Sequence, residues 1–318
     1  MDPTPALLTA ALAGAADAPG YPLTAGSPQL QAAASAWVTR VLGAPAGTAV
    51  LPTVGSKELV ALLPWLLGVR GDVLVPELAY PTYEVGALFA DARPVRQWTD
   101  DVGLVWLNSP SNPTGEVLDA EQLQAVVARA RAAGAVVVSD ECYVELAYAA
   151  PAPVSVLSVL GGDVSGVLAV HSLSKRSSAA GYRLGLVSGD PALVADLLEL
   201  RKHAGLMVAA PVQAAGVAAF GDDDHVAAVR ATYAARRARL LPAFTAAGFR
   251  SDGGAAGLYL WLTRGDDCWA TVEALAAAGV LVAPGVFYGA AGQRHVRVAL
   301  TATDERVAAA AERLASLG

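Results

Sequence analysis

The sequence predicts an α/β protein: a large domain built on a mostly parallel sheet between helices, with a smaller α+β lobe at the C-terminal end. Three observations carry this. Apolar runs of strand length ("AVLPT", "GLVWL", "AVVVS", "GVLAV") alternate with helical stretches, and uninterrupted apolar strands belong to parallel sheets buried on both faces. The length, 318 residues, suits one large α/β domain with a smaller lobe. From about residue 222 the texture changes to a charged helix followed by short strands and helices.

The elements follow in order. Residues 5–16 predict a helix and 18–28, "APGYPLTAGSP", a loop. "QLQAAASAWVTRVLG" predicts a helix that stops at Gly43. "AVLPTVGSKELVALLPWLLGV" reads as a strand, a turn at Gly55 and a helix, and "DVLVPELAYPTYEVGALFA" repeats that plan around a proline-marked loop. "GLVWLNSPSNPTG" is a strand entering a turn, and 119–133 predict a helix. "GAVVVSDECY", "SGVLAVHSLSK" and "YRLGLVSGD" are further strands, the last followed by one long helix from about 191. Beyond 222 come "HVAAVRATYAARRARLLPAFTAAG" as a helix, "AAGLYLWLT", a helix over 268–279, "VLVAPGVFYG", "HVRVALT" and a last helix.

Composition narrows the function. The net charge is −7 with no basic block, which argues against a nucleic-acid partner. No apolar run approaches the ~18 residues of a membrane span, and the N-terminus lacks a basic segment and a cleavage site, so no signal peptide is expected. Two cysteines, Cys142 and Cys268, lie far apart without a CxxC. They fit a reducing cytoplasm and no disulfide scaffold, and no metal site is expected.

Polar residues gather where strands end, which in a parallel sheet is where ligands bind. Gly55, Ser56 and Lys57 follow one strand and open a helix, an arrangement of backbone N–H groups that suits an anion. Tyr80 and Tyr83 follow the next strand, Asn112 the next; Asp140 ends "AVVVSD", with Tyr143 three residues on. Ser172, Ser174 and Lys175 end "GVLAVHSLSK", and Arg183 comes shortly after. Singly, an Asp can cap a helix, NPTG can be a turn and a Lys beside serines can be a solvated loop residue. Together they match one cofactor. Pyridoxal phosphate needs a lysine for a Schiff base, a carboxylate for its ring nitrogen, and partners for a dianionic phosphate, a phenolic oxygen and a flat ring.

Residues 21–318 resemble the fold-type I pyridoxal-phosphate aminotransferases of class I/II. "YPLTAG", "TVGSKE", "PELAYPTY", "SPSNPTG", "SDECY", "SLSK", "GYRLG" and "HVRVAL" follow that family's order. The resemblance implies a seven-stranded sheet in a cofactor-binding domain over 31–221, a small domain over 222–318 and a short N-terminal segment, 1–30, at the small lobe or a dimer contact. It implies that Lys175 holds the cofactor and moves the proton, that Asp140 keeps the ring nitrogen protonated, and that Asn112 and Tyr143 bond the phenolic oxygen. It implies further that Tyr80 covers the ring and that Gly55, Ser56, Lys57, Ser172 and Arg183 surround the phosphate, backbone N–H groups serving more than the Lys57 side chain. It also implies that Arg297 grips the substrate α-carboxylate through a bidentate pair, with Asn112 beside it. Tyr21 matches a tyrosine that reaches the neighbouring subunit's phosphate, implying a homodimer.

The wording is most similar to the actinobacterial succinyldiaminopimelate aminotransferases, through "DAPGYPLTAG", "LVWLNSPSNPTG", "HSLSKRS", "VAPGVFYG" and "HVRVALTATDER". That likeness implies transfer of an amino group between N-succinyl-LL-2,6-diaminopimelate and 2-oxoglutarate in lysine biosynthesis, with Lys57, Arg176 and Arg294 as candidates for the distal carboxylate. Two departures stand out. The chain begins "MDPTP" about where the family's N-terminal arm and glycine loop end, implying a truncated start or a more open site. "SSAA" replaces a larger residue before "GYR", which implies altered packing. Other readings keep the fold: another amino-acid aminotransferase, a C–S lyase, or a non-catalytic sensor domain, the last without a helix-turn-helix in its favour. Ser172–Lys175 also spells the S-x-x-K of penicillin-recognising enzymes, but the SDN and KTG they require do not occur.

Overall fold

The computed structural model describes residues 2–315. Seven strands, β1 (Ala49–Thr53), β2 (Asp72–Leu74), β3 (Arg93–Val95), β4 (Val102–Asn108), β5 (Val136–Asp140), β6 (Val167–Ser172) and β7 (Gly185–Gly189), form one sheet in the order β1-β7-β6-β5-β4-β2-β3. The neighbours from β3 through β6 pair in parallel, while β7 is antiparallel to both β6 and β1. Thus β1 runs with the parallel set.

Helices cover both faces: α1 (Ala6–Gly14), α2 (Pro28–Leu42), α3 (Gly55–Leu66), α4 (Thr82–Phe89), α5 (Ala120–Ala132), the short α6 (Leu173–Arg176), α7 (Pro191–His203) and α8 (Ala210–Phe220). The period-2 geometry of a strand sends alternate side chains of β4 to opposite faces. Leu104 and Trp106 join a core with Leu59, Tyr83 and Val138; Val105 and Leu107 join another with Leu8, Trp37 and Val137. Capping residues set the helix ends. Ser27 accepts from the Leu30 N–H ahead of Pro28, and Gly43 closes α2 in the left-handed region; Asp119 and Gln122 make a capping box on α5.

The C-terminal lobe comprises α9 (Asp224–Ala246), β8 (Arg250–Ser251), β9 (Tyr259–Thr263), α10 (Cys268–Ala277), β10 (Ala283–Pro284), β11 (Val296–Ala299) and α11 (Asp304–Leu314). Its strands pair antiparallel in the order β10-β11-β9-β8. Phe244, Leu260, Leu262, Leu275, Val296 and Val307 form its core, which continues into Cys142, Tyr143 and Leu146 just beyond β5. The two lobes therefore meet at the carboxyl end of β5.

Four details depart from the sequence expectation. The long helix from 191 is two helices, because Gly205 takes a left-handed φ of 71° and Pro211 opens α8. Strand β7 turns back along β6 instead of continuing the parallel run, and a short apolar run reads the same in either direction. Strand β3 and the two-residue β8 are too short for an apolar pattern, and "VLVAPGVFYG" yields only β10 before a single 3₁₀ turn, Gly285–Tyr288.

Candidate active site

Sheet register aligns the functional ends. Asn108 lies opposite Asp140, Asp140 opposite Val170, and both Ser172 and Thr53 opposite Gly185, the first residue of β7. The carboxyl ends of β1, β4, β5 and β6 thus share one edge. A cavity of about 920 Å³ opens there, and it brings together ten of the twelve residues to which the resemblance gives a role in the cofactor or α-carboxylate site: Ser56, Lys57, Tyr80, Asn112, Asp140, Tyr143, Ser172, Lys175, Arg183 and Arg297. Gly55 lies immediately behind Arg183, not in the lining. Tyr21 is 96% exposed and outside the cavity. The cavity also takes in Ser174, Cys142, Tyr259, Phe287 and Tyr288.

One corner is built for an anion. Helix α3 starts at Gly55 and points its N-terminal N–H groups there. Its start is anchored from below: buried Arg201 of α7 donates Nη1 and Nη2 to Glu58 at 2.6 and 3.0 Å, and Glu58 accepts from the Val54 N–H. Arg183, itself in the left-handed region at φ 56°, donates Nη1 to the Ala180 carbonyl at 3.0 Å and lays its guanidinium over Gly55. A Cβ on Gly55 would stand 2.1 Å from Arg183 Nη2, and φ at Gly55 is +71°, so this position requires glycine twice over. Ser172 accepts from the Ser174 N–H at 3.2 Å, and Lys57 Nζ lies 5.6 Å from the Tyr80 ring centre.

Asp140 is buried, and burial pushes its carboxyl above the ordinary range; donors from Cys142 and Tyr83 and the charge of Lys175 oppose that. Tyr83 Oη donates to Oδ2 at 2.8 Å, and the Cys142 N–H donates to Oδ1 at 3.2 Å. The Tyr83 ring stacks on Trp106 at 4.7 Å and meets Tyr80 edge-on at 5.7 Å. Asn108 Nδ2 donates to the Asp140 carbonyl at 2.9 Å, while its Oδ1 accepts from the Asn112 N–H at 2.7 Å.

The small lobe contributes Arg297 from β11. Its Nη1 donates to Asn112 Oδ1 at 2.9 Å, and its guanidinium carbon lies 3.7 Å from the Tyr259 ring centre and 4.8 Å from that of Tyr288. Nε of Arg297 is buried and makes no hydrogen bond among the described residues. Burial raises the Tyr143 phenol well above its usual value. Tyr259 is half-buried, which raises its phenol, yet the charges of Arg297 and Lys175 pull it below the usual value. Sequence reasoning missed Tyr83 as the Asp140 donor, and Tyr259 and Tyr288 as the flanks of Arg297. The signal for Tyr259 was the β9–β11 register. Arg297 faces Trp261, so Tyr259, two residues back, lies diagonally on the same face.

This donor set fits pyridoxal phosphate: a buried carboxylate for a protonated ring nitrogen, Asn112 and Tyr143 for an oxygen, Lys175 for the aldehyde, and the α3 N-terminus, Arg183 and serines for a phosphate. Of the candidates for a distal carboxylate, Lys57 lines the cavity. Arg176 is buried instead against Glu145 and the Ala219 carbonyl, stacked near Trp37, and Arg294 is exposed outside the lining.

Comparison with known proteins adds the following. The profile of a family described as "Aminotransferase class I and II" matches residues 3–314. The chain is 55% identical over 325 residues to the 4-dedimethylamino-4-oxo-anhydrotetracycline transaminase OxyQ of Streptomyces rimosus, across 99% of this chain and 90% of that protein. It is 56% identical over 326 residues to the probable aminotransferase Rv1178 of Mycobacterium tuberculosis, across 99% and 78%. Among solved structures, the N-succinyldiaminopimelate aminotransferase of M. tuberculosis superposes with a TM-score of 0.91 at 27% identity, covering 100% of this chain and 91% of that one.

Proposed function

The chain belongs to the class I and II aminotransferases, whose cofactor is pyridoxal phosphate, and from that premise we propose that it transfers the amino group of N-succinyl-LL-2,6-diaminopimelate to 2-oxoglutarate. The observation that carries the substrate reading is Arg297. It is a guanidinium flanked by two tyrosines, with a buried, unpartnered Nε, in the same cavity as Lys175 and Asp140. Such a group has donors left for a bidentate carboxylate. Lys57 is the cation in this cavity left for a distal carboxylate, since Arg183 belongs to the anion corner. The likeness to the N-succinyldiaminopimelate enzyme supports the same reading.

When bound, the cofactor supplies an electron sink for bond breaking at the substrate α-carbon. The chain's own residues do the rest. Asp140 holds a proton on the ring nitrogen, with Tyr83 and the Cys142 N–H holding Asp140 in place. Lys175 Nζ, in the lining of the same cavity, would take the proton from the substrate α-carbon and hold it for return. Arg297 and Asn112, joined at 2.9 Å, orient the α-carboxylate. The donor and the 2-oxo acid occupy this position in turn. Tyr21, almost fully exposed, is available to a second copy, as a homodimer with shared sites requires. Among the described residues no helix is long and apolar enough to cross a membrane, and a cytoplasmic setting accords with the two free, buried cysteines.

A second reading replaces the succinylated donor with a bulky ring system and is favoured by the 55% identity to OxyQ and by the aromatic wall of Tyr80, Tyr259, Tyr288 and Phe287. A panel of kcat/KM values with 2-oxoglutarate separates the two. The succinylated donor should exceed free diaminopimelate, aspartate and aromatic amino acids by at least about tenfold, or about 1.4 kcal/mol. Preference for any of the others removes the N-succinyldiaminopimelate assignment and leaves amino transfer standing.

A further inference from the structure

Two large aromatic side chains stand half in water at the rim of the cavity. Phe287 is 55% exposed and Trp269 49% exposed, and their rings meet edge-to-face with centroids 5.5 Å apart. Phe287 belongs to the cavity lining, whereas Trp269 lies outside it. The next residue, Tyr288, sits 4.8 Å from the Arg297 guanidinium carbon. An aromatic path therefore leads outward from the carboxylate grip through Tyr288 and Phe287 to Trp269.

The path is held in place. Asp267 caps α10 by accepting from the Trp269 N–H at 2.9 Å, and the Cys268 N–H donates to the Gln293 carbonyl at 2.7 Å. Aromatic pairs left in contact with water beside a catalytic cavity mark a ligand surface. We propose that Trp269 and Phe287 form a subsite for the distal arm of the substrate, and that it takes an extended side chain bearing a flat group, either an acylamide or an aryl ring. The chemistry follows from the rings. A T-shaped pair leaves a π face open beside an edge, which an uncharged planar sp² group fills and a hydrated, anionic carboxylate does not. The inference rests on the reading that Arg297 holds the substrate carboxylate.

Calorimetric binding of unreactive carboxylates to the holoenzyme tests it. The probes are 6-acetamidohexanoate for an acylamide arm, indole-3-propionate for an aryl arm, and succinate as a short control. In Trp269→Ala and Phe287→Ala the Kd of at least one long probe should rise roughly tenfold, about 1.4 kcal/mol, with succinate within about twofold of its wild-type value. Trp269→Phe should recover most of the loss. Which long probe responds identifies the arm. Equal weakening of succinate, or unchanged binding of both long probes, overturns the subsite and leaves the aminotransferase reading intact. If wild-type protein binds none of the three carboxylates, the Arg297 reading falls and the subsite with it. Turnover of short donors should remain near wild type in Trp269→Ala, whose side chain lies outside the cavity lining; a parallel loss there means a folding defect and also counts against the subsite.

Discussion

Replacing Tyr83 by Phe isolates the hydrogen bond that steadies Asp140. The change deletes one oxygen and keeps the ring, so the stack on Trp106 and the edge contact with Tyr80 remain. Asp140 then keeps the Cys142 N–H and loses the 2.8 Å donor on Oδ2. Burial already pushes this carboxyl above the ordinary range, and a donor to the carboxylate favours its ionised form. Removing the donor must push the group further in the same direction. A hydrogen bond to a charged partner contributes roughly 1.5–3 kcal/mol, and about 1.4 kcal/mol is tenfold in rate. At neutral pH the variant should therefore lose between about tenfold and about a hundredfold in single-turnover rate. Alkaline solution restores the ionised carboxylate, so the deficit should narrow as pH rises. In the apoprotein, the carbon-13 resonance of the Asp140 carboxyl should titrate at higher pH than in wild type. A deficit of equal size at every pH points to misplaced packing, and no deficit means that Asp140 does not depend on Tyr83; either result refutes the reasoning.

Borohydride reduction of the holoenzyme followed by peptide mapping should find the pyridoxyl group on Lys175, and a label on Lys57 or Lys202 would overturn that assignment. Gly55→Ala should weaken cofactor binding by about tenfold or more, because the new Cβ displaces the Arg183 guanidinium, while costing only about 1–2 kcal/mol in apoprotein stability for the left-handed φ; unchanged cofactor affinity would place the anion elsewhere. Arg297→Lys should lower kcat/KM for the amino donor and for 2-oxoglutarate together, because one grip serves both; loss for one alone contradicts a shared site. Two buried groups 3.9 Å apart set opposing pH slopes in stability. Burial holds Glu141 up to about 7, so its contribution is full below its ordinary 4.5 and is lost as pH rises through 7; burial holds His171 down to about 3, so its contribution is full above 6.5 and is lost as pH falls toward 3. Glu141→Gln removes the first slope, of the order of 3 kcal/mol, and apoprotein stability in denaturant should then rise with pH between 4.5 and 7 more steeply than in wild type; an unchanged slope excludes a proton on folded Glu141.

The grouping of the candidate cofactor residues in one cavity was legible because most of them lie within a few residues of the end of an apolar run. Ser56, Asn112, Asp140 and Ser172 sit at or just beyond the ends of strands that point the same way, so sheet topology gathers them without any knowledge of side-chain packing. Tyr83 was not legible in its role, since the partner of its hydroxyl is 57 residues away and only the packing of α4 on the sheet joins them. Arg176 misled for the same kind of reason. It neighbours Lys175 in sequence, but α6 turns it the other way, into a buried pair with Glu145. The direction of β7 and the break after α7 depend on a connection and a single glycine, which periodicity does not weigh.

The site divides by lobe, and Asn112 spans the division. Lys175, Asp140, Ser56 and Arg183 all belong to the large sheet and the turns at its edge, whereas Arg297, Tyr259 and Tyr288 belong to the small lobe. Asn112 is fixed to the large lobe by the bond from its backbone N–H to Asn108, whose own amide holds the Asp140 carbonyl, and its side chain accepts from Arg297. A carboxylate that takes hold of Arg297 must therefore compete with the Asn112 oxygen for Nη1 or use the guanidinium donors that Asn112 leaves free. On the proposed role of Arg297, substrate binding is coupled through one amide to the strand that carries Asp140, and Tyr259 and Tyr288 flank the guanidinium. That coupling explains why a short polar residue with both a donor and an acceptor serves at position 112: a carboxylate there would pair permanently with Arg297, and an aliphatic side chain would leave the guanidinium without its bridge.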